Sequence, residues 1–235
     1  MHMSSARYAV YYVPPKNSTL SEFGKTWLGI DIETGELQAA ASIDGLSQSK
    51  LEQLVESPRA YGFHGTLKPP FSLAANSSLD GLLSAIELYA TGLTPFEIPP
   101  LELAFIGKFL ALSPESSSAP LENMAAGCVR ALEGFRAHRT EKELARYRQS
   151  KLTVHQEQML DNWGYPYVLE EFRFHMTLSD RIDDEEERYA MMEAAIDRCS
   201  DIVGQPLPVE EIAVCSQPAD GQPMQIVKRI PFGRA

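Results

Sequence analysis

One short motif, histidine-x-threonine-leucine, occurs at two widely separated places in the sequence. The first copy runs from His64 to Leu67 and the second from His175 to Leu178. The chain has five histidines and nine threonines in 235 residues, so a single chance copy is expected only about 0.02 times at ordinary amino-acid frequencies. The repetition therefore indicates a functional role, whereas one copy alone would be a weak signal.

The residue types in the motif suit phosphoester cleavage. An imidazole titrates near neutral pH, so one histidine can accept a proton while a second one donates a proton. Cleavage needs both acts, because water must be deprotonated and the leaving oxygen must be protonated. The hydroxyls of Thr66 and Thr177 can donate hydrogen bonds to non-bridging phosphate oxygens. The pattern predicts a metal-independent phosphoesterase with His64 and His175 as acid and base, but it does not assign the two roles.

Strand periodicity predicts how these side chains are presented. Side chains alternate between the two faces of a sheet, so each motif would place its histidine, its threonine and a basic residue on one face. The basic residues are Lys68 and Arg173, and we expect them to offset the charge of a substrate. A surface ion pair is the alternative for each of them. Because burying two such polar rows without partners would be costly, the rows are expected to line a groove.

The segments around the motifs alternate predicted strands and helices, with several hairpins and no long linker. Strands are predicted at 7–13, 61–71, 101–106, 109–112, 172–178, 209–214 and 225–230. Helices are predicted near 20–28, 51–55, 79–89 and 120–135, after two capping boxes at Thr140–Glu143 and Thr153–Gln156, and after the acidic run 183–187. This order predicts a single α+β domain over residues 1–235 with a largely antiparallel sheet.

Composition limits the classes of function. The net charge of −11 disfavours binding to bulk DNA, whereas a small anionic substrate needs only a few local cations. The cysteines, Cys128, Cys199 and Cys215, lie in apolar stretches without a C-x-x-C pair. They are predicted to be buried thiols in a cytoplasmic protein. No segment has the pattern of a signal peptide or a membrane span.

The two motifs, together with longer strings, resemble the 2H phosphoesterase superfamily, whose members carry two H-x-[ST]-x motifs across a groove. The closer resemblance is to its phosphonate-metabolism branch, the DUF1045 family. It extends over nearly the whole chain, in RYA from Arg7, FG and WLG from Phe23, YGFHGTLKPPF from Tyr61, FLALSP from Phe109, and WGYPYV and FRFH from Trp163.

The resemblance implies a bilobal, LigT-like fold of two pseudo-symmetric, mostly antiparallel sheets flanked by helices around a central groove. It implies that His64 and His175 are the acid–base pair and that Thr66 and Thr177 orient the phosphate. It further implies a cyclic phosphodiesterase-like hydrolase, of a branch that often accompanies phosphonate utilisation. No cofactor and no metal are expected. The expected partner is a small phosphorylated substrate, nucleotide-like or an RNA end, without a membrane.

Tyrosines near the motifs are candidates to stack on a base or a sugar. Tyr8 and Tyr61 are predicted to contact the substrate, and Tyr165 and Tyr167 could also line the groove. A place in the core is the alternative for each. The remaining histidines, His138, His155 and His2, are expected at the surface or in a mobile terminus.

Three functions remain open at this stage. The first is hydrolysis of a cyclic phosphodiester, or a related phosphoester, in a small ribose- or nucleotide-like molecule. The second is a non-catalytic module that binds a phosphate or an RNA end. The third is a metallohydrolase that uses the same histidines, although the sequence lacks H-E-x-x-H. A serine hydrolase is disfavoured because there is no G-x-S-x-G. The oligomeric state and the choice between hydrolysis and ligation are not predicted.

Overall fold

The computed structural model describes residues 6–233, and within them the chain forms nine strands and eight α-helices. The strands are β1 (Arg7–Tyr12), β2 (Gly65–Ser72), β3 (Phe96–Ile98), β4 (Leu101–Ile106), β5 (Phe109–Pro114), β6 (Met176–Thr177), β7 (Leu207–Val209), β8 (Glu211–Gln217) and β9 (Gln225–Pro231). The helices are α1 (Thr19–Leu28), α2 (Gln48–Leu54), α3 (Glu56–Tyr61), α4 (Leu79–Thr91), α5 (Ala119–Ala131), α6 (Glu141–Arg148), α7 (Val154–Trp163) and α8 (Glu185–Arg198).

Seven of these strands form one sheet in the order β4-β5-β6-β2-β1-β8-β9, and β3 pairs with β7 in a second, small sheet. The strand pairings within residues 6–233 are antiparallel. The predicted α+β class with a mainly antiparallel sheet is therefore confirmed. The strands are divided seven to two rather than equally, because β2 and β6 pair with each other and join the two halves in one sheet.

The local signals for hairpins and helix ends are confirmed. β4 and β5 form the predicted hairpin, and β8 and β9 form the closing hairpin. Both capping boxes are present, with the hydroxyls of Thr140 and Thr153 accepting from the backbone three residues on. Helix α7 ends at Gly164, whose positive φ of 73° is easily adopted by glycine.

The strand predicted over 172–178 is much shorter in the structure. A 3₁₀ turn occupies Leu169–Glu171, and only Met176–Thr177 pairs as a strand. The strand predicted over 61–71 also starts late, because α3 continues to Tyr61 and β2 begins at Gly65. Each motif histidine consequently lies one residue before its strand.

The sequence also predicted the positions of the cysteines and of the histidines outside the two motifs. All three cysteines are buried and free, as predicted, and His138 and His155 are exposed. His2 lies outside the described residues. No helix formed by residues 6–233 is long and apolar enough to span a membrane.

Candidate active site

The two motifs lie side by side because their strands are neighbours. Gly65 of β2 pairs with Met176 of β6 in an antiparallel register. Extending this register by one residue in each direction sets His64 opposite Thr177 and Thr66 opposite His175. Each histidine is therefore next to the threonine of the other motif, so the two motifs have equivalent, symmetric positions in the sheet.

The imidazole of His64 is held at both nitrogens. Its Nδ1 lies 2.8 Å from the carbonyl oxygen of Gly62 and therefore donates the proton of that hydrogen bond. Its Nε2 lies 3.1 Å from Oγ1 of Thr66, which is then the donor. The ring of the fully buried Tyr11 stacks on the imidazole, with 3.7 Å between ring centroids and 23° between planes. These contacts leave the lone pair of His64 on Nε2.

The imidazole of His175 repeats the first of these contacts. Its Nδ1 donates to the carbonyl oxygen of Arg173 over 2.8 Å, again the carbonyl two residues earlier in the chain. The ring of Phe109 lies beside it, 5.5 Å away between centroids. Because Nδ1 carries the hydrogen in both histidines, Nε2 is the nitrogen that can accept a proton in both.

Both imidazoles favour the neutral form in the unliganded site. Burial lowers the pKa of His64 to about 4, against the hydrogen bond to Gly62, and the nearby His175 lowers the pKa further. Burial also lowers the pKa of His175 below its usual value, partly offset by the hydrogen bond to Arg173. His175 therefore contributes to the electrostatic environment of His64.

A cavity of about 520 Å³ opens beside the motifs. Two motif side chains, Thr66 and His175, line it, and the predicted Arg173, Tyr165 and Tyr167 line it as well. The other lining residues are Leu67, Pro69, Ile106, Phe109, Gln156, Val168, Glu171 and Phe172. The lining thus combines a largely apolar and aromatic wall with a few polar groups, as small-molecule sites generally do.

The other histidine and the other threonine of the motifs, His64 and Thr177, do not line this cavity. His64 reaches it through the hydroxyl of Thr66. Thr177 pairs with Ala111 of β5 and is partly buried. Sequence reasoning missed Gln156 and Glu171, whose side chains are joined by a 2.8 Å hydrogen bond. For Gln156 the available signal was its capping role in α7, which gives no indication of a cavity.

Lys68 does not contact the cavity, so its prediction as a substrate-binding residue is wrong. Its side chain is 2% exposed, and its Nζ donates to the carbonyl of Val129 over 3.1 Å and to Glu133 over 3.2 Å. The reason is a β-bulge in β2. Tyr11 of β1 pairs with Thr66, but Val10, the residue before Tyr11, pairs with Lys68. Leu67 is thus an extra residue, and the alternation turns Lys68 toward the core.

Of the four tyrosines predicted to lie near the substrate, Tyr165 and Tyr167 line the cavity, whereas Tyr8 and Tyr61 do not. Tyr8 lies on the opposite face of β1 from Tyr11 and packs against the main core, so its predicted contact with substrate is wrong. Tyr61 packs against the cluster that contains Tyr11 and does not line the cavity. Tyr11 itself, which stacks on His64, was not singled out by the sequence.

Within residues 6–233, no three histidine, cysteine or acidic side chains are grouped as a metal ion would require.

Two curated relatives are similar to this chain over much of its length. One is "Ribose 1,5-bisphosphate phosphokinase PhnN" of Janthinobacterium sp. (strain Marseille), 31% identical over 232 residues that cover 97% of this chain and 51% of the relative. The other has the same name and comes from Laribacter hongkongensis (strain HLHK9), with 30% identity over 76% of this chain and 41% of the relative. The chain therefore spans about half of these relatives or less.

Solved structures with a similar chain path include E. coli LigT in complex with 3′-AMP, with a TM-score of 0.44 and 11% identity over 97% of this chain and 98% of that one. Another is described as a phosphoesterase, with a TM-score of 0.42 and 14% identity over the same shares. A family model described as a protein of unknown function, DUF1045, matches residues 66–225, which include Thr66 and the whole second motif. The chain belongs to the DUF1045 family, the family that its motif strings resemble.

Proposed function

We propose that this protein is a metal-independent phosphoesterase that hydrolyses a cyclic phosphodiester of a small ribose- or nucleotide-like molecule, with a place in phosphonate metabolism. The observation that carries the proposal is the symmetric placement of the two motifs. His64 and His175 each donate Nδ1–H to the carbonyl two residues earlier, and each lies opposite the threonine of the other motif. Two neutral imidazoles whose Nε2 lone pairs can accept a proton, that of His64 once the hydroxyl of Thr66 turns away, suit paired proton transfer.

The reaction balances with one water molecule and no other reactant. Nε2 of His64 takes a proton from water as the water oxygen attacks phosphorus. The bond from phosphorus to one ring oxygen breaks, and protonated His175 gives its Nε2 proton to that oxygen. The products are a phosphomonoester and a free hydroxyl, and proton exchange with solvent resets both histidines. His64 is assigned as base because the stacked Tyr11 and Thr66 shield it more than His175, which lines the cavity.

The other polar groups of the site suit an anionic phosphate. Thr66 donates to His64 in the unliganded structure, and rotation about its χ1 would redirect the hydroxyl to a phosphate oxygen. Thr177 is proposed for the same role from the second motif. Arg173 is exposed at the cavity and has no ion-pair partner among residues 6–233. Its guanidinium is therefore available to offset the charge of the phosphate.

The cavity wall supports a ribose- or nucleoside-like group next to the phosphate. The rings of Tyr165, Tyr167 and Phe172 provide apolar surface on which a sugar or a base can pack. The name of the two curated relatives refers to a phosphorylated ribose, which is consistent with a ribose phosphate as substrate. Because this chain spans only part of those proteins, their activity supports the substrate class and not a shared reaction.

Incubation of the purified protein with a panel of cyclic nucleotides and cyclic ribose phosphates tests the proposal. We expect ring opening of at least one compound, full activity after treatment with a chelator, and loss of turnover in both His64→Ala and His175→Ala. The exposed His155→Ala is the matched control and should keep full activity. Binding without product would favour the non-catalytic module. Loss of activity on chelation would favour the metallohydrolase, and near-normal turnover in either motif variant would refute the mechanism.

A further inference from the structure

A second and larger cavity lies outside the motif site. It has a volume of about 880 Å³, within the range of small-molecule sites. None of the residues that line it lines the motif cavity. The two cavities are separated by a wall in which the guanidinium of Arg139 lies 5.0 Å over the ring of Tyr147, whose ring in turn contacts Tyr165.

The lining of this second cavity is basic, although the protein as a whole is acidic. Five cationic side chains face two carboxylates, Glu143 and Asp220. The cations are Arg7, Arg136, Arg139, Lys142 and Arg146. They are five of the 21 lysines and arginines in a chain with a net charge of −11. A concave surface with one dominant sign of charge concentrates the field and attracts ions of opposite charge.

Two of the arginines are held in place by neutral acceptors. Arg7 donates through Nε and Nη2 to Oε1 of Gln217, a side chain that is 5% exposed and that donates in turn to the carbonyl of Gln222. Arg139 donates to the carbonyls of Gly164 and Pro70. Because these acceptors are neutral, they fix the guanidinium groups without cancelling their charge, and such preorganisation lowers the entropic cost of binding a ligand.

The charge that remains unpaired is substantial. Arg136 forms an ion pair with Glu133, and Arg139 lies 3.4 Å from Glu143. Within the described part of the chain, no carboxylate lies within ion-pair distance of the other three cations, which are Arg7, Lys142 and Arg146. Three unpaired cations around one cavity match a ligand with more than one negative charge.

Helix α6 adds an independent observation. It has no fully buried residue, and it is held to the rest of the protein by the ring contact of Tyr147 with Tyr165 and the ion pair of Arg148 with Asp161. The face that it turns to the cavity carries Lys142, Ala145 and Arg146 at helical spacing, and the C-cap residue Gln149 continues this row. Lys142 and Arg146 are four residues apart, a like-charged pair that disfavours an isolated helix. An anion between this face and Arg7 would remove that repulsion and add contacts to the helix.

We propose that this cavity, called here the basic cavity, is a second binding site that takes a small molecule with two or more phosphate groups. The proposal does not rest on the function of the histidine motifs. A small multivalent anion is favoured over nucleic acid because the chain is strongly acidic outside this cavity, which opposes contact with a long polyanion.

Calorimetric titration with inorganic pyrophosphate tests the site. We expect saturable binding that is tighter than that of inorganic phosphate. The double variant Lys142→Gln/Arg146→Gln removes two exposed cations of α6, so it should fold normally and bind pyrophosphate about tenfold more weakly or worse. The matched control Lys16→Gln/Lys151→Gln removes the same charge at exposed positions outside the cavity, and it should bind as the unmodified protein does.

A second pair of measurements separates this site from the motif site. Thr66→Ala/His175→Ala, which alters the motif cavity, should bind pyrophosphate with unchanged affinity. Hydrogen exchange of the α6 amides should slow when pyrophosphate binds, since the ligand adds contacts to α6. Absence of saturation, binding lost in Thr66→Ala/His175→Ala, or binding unaffected by Lys142→Gln/Arg146→Gln would each overturn the proposal. Binding of a single-stranded oligonucleotide without binding of pyrophosphate would also overturn it.

Discussion

The surroundings of His64 and His175 differ even though their hydrogen bonds match. His64 lies under the ring of Tyr11, and both of its nitrogens have partners. His175 has Phe109 at one side and lines the cavity. Removal from water opposes protonation most at the more shielded ring, so the first proton taken up by the pair is expected on His175.

The pH dependence of kcat/KM follows from this order. As a base, His64 must be neutral, so activity should fall as the pH drops through its pKa of about 4. As an acid, His175 must be protonated, so activity should fall as the pH rises through its pKa, which lies below the usual value of 6.5. We expect a bell with both limbs on the acidic side of pH 6.5. An alkaline limb above pH 7 would contradict the assignment.

Replacing the ring that covers His64 should move one limb of that bell. In Tyr11→Leu, water reaches the imidazole, so the pKa of His64 should rise and the acidic limb of kcat/KM should shift toward pH 6.5. Tyr8→Leu alters the same strand on its opposite face and is the matched control. Equal shifts of the limb in both variants would indicate a general loosening of β1 instead.

The buried charge of Lys68 gives a prediction about stability. Its Nζ is 3.2 Å from Glu133, whose side chain is 26% exposed. Glu133→Gln leaves the ammonium buried without a counter-charge, and we expect a loss of about 2 kcal/mol, less than for a fully buried pair because water reaches Glu133. Lys68→Met should stay within about 1 kcal/mol of the parent protein, because an apolar chain of similar volume replaces the charge.

Urea unfolding and turnover, measured on the same two variants, separate packing from catalysis. Lys68→Met should keep full turnover, since Lys68 faces the core and not the cavity. A folded Lys68→Met protein without activity would instead indicate that Lys68 has a role in substrate binding.

At the scale of secondary structure, the pairing of β2 with β6 depends on a glycine. A Cβ on Gly65 would lie 2.3 Å from Cε2 of Phe174, whose side chain is 7% exposed. Gly65→Ala should therefore cost about 2 kcal/mol through overpacking, and it should lower kcat because His64 is the preceding residue. In Gly65→Ala/Phe174→Leu the smaller side chain removes the clash, so stability and kcat should both recover in part.

Phe174→Leu alone is the control for that pair, since it measures the cost of the lost ring. If Gly65→Ala and Phe174→Leu have additive effects on the free energy of unfolding, the clash is not the cause. Coupling between them, measured by urea unfolding, is the expected result.

The elements show which predictions a single sequence supports. Hairpins and capping boxes were predicted correctly because their signals are local: Thr140 and Thr153 act within three residues of the chain. The side of the sheet to which Lys68 turns depends on a bulge against β1, whose residues are far away in sequence. Strand β6 is short because Met176 alone pairs with both neighbouring strands, whereas Thr177 pairs only with β5. Register between distant segments cannot be obtained from local periodicity.

The candidate site could also be predicted from the sequence only in part. The repeated motif indicated His64 and His175 without any structure, because the repetition itself is the signal. The stacking of Tyr11 on His64 and the hydrogen bond from Gln156 to Glu171 arise from tertiary contacts. Neither pair has a pattern in the sequence that could indicate it.

At the scale of the whole molecule, the two motifs meet where the two halves of the sheet join. One motif leads into β2 and the other into β6, and the pairing of Gly65 with Met176 brings them together. If the two imidazoles serve one phosphorus centre, removing either disables the same step. His64→Ala and His175→Ala should then each lower kcat by roughly 10²- to 10⁴-fold.

The double variant His64→Ala/His175→Ala decides whether the halves act as one unit. Independent contributions would multiply, whereas a shared step leaves the double variant about as slow as either single variant. We expect the second outcome for kcat. Urea unfolding of the three variants is the control, and each should show the cooperative transition of a folded protein. Multiplied losses would mean that each histidine acts on a separate event, and the symmetric pairing of the motifs would then have a structural role only.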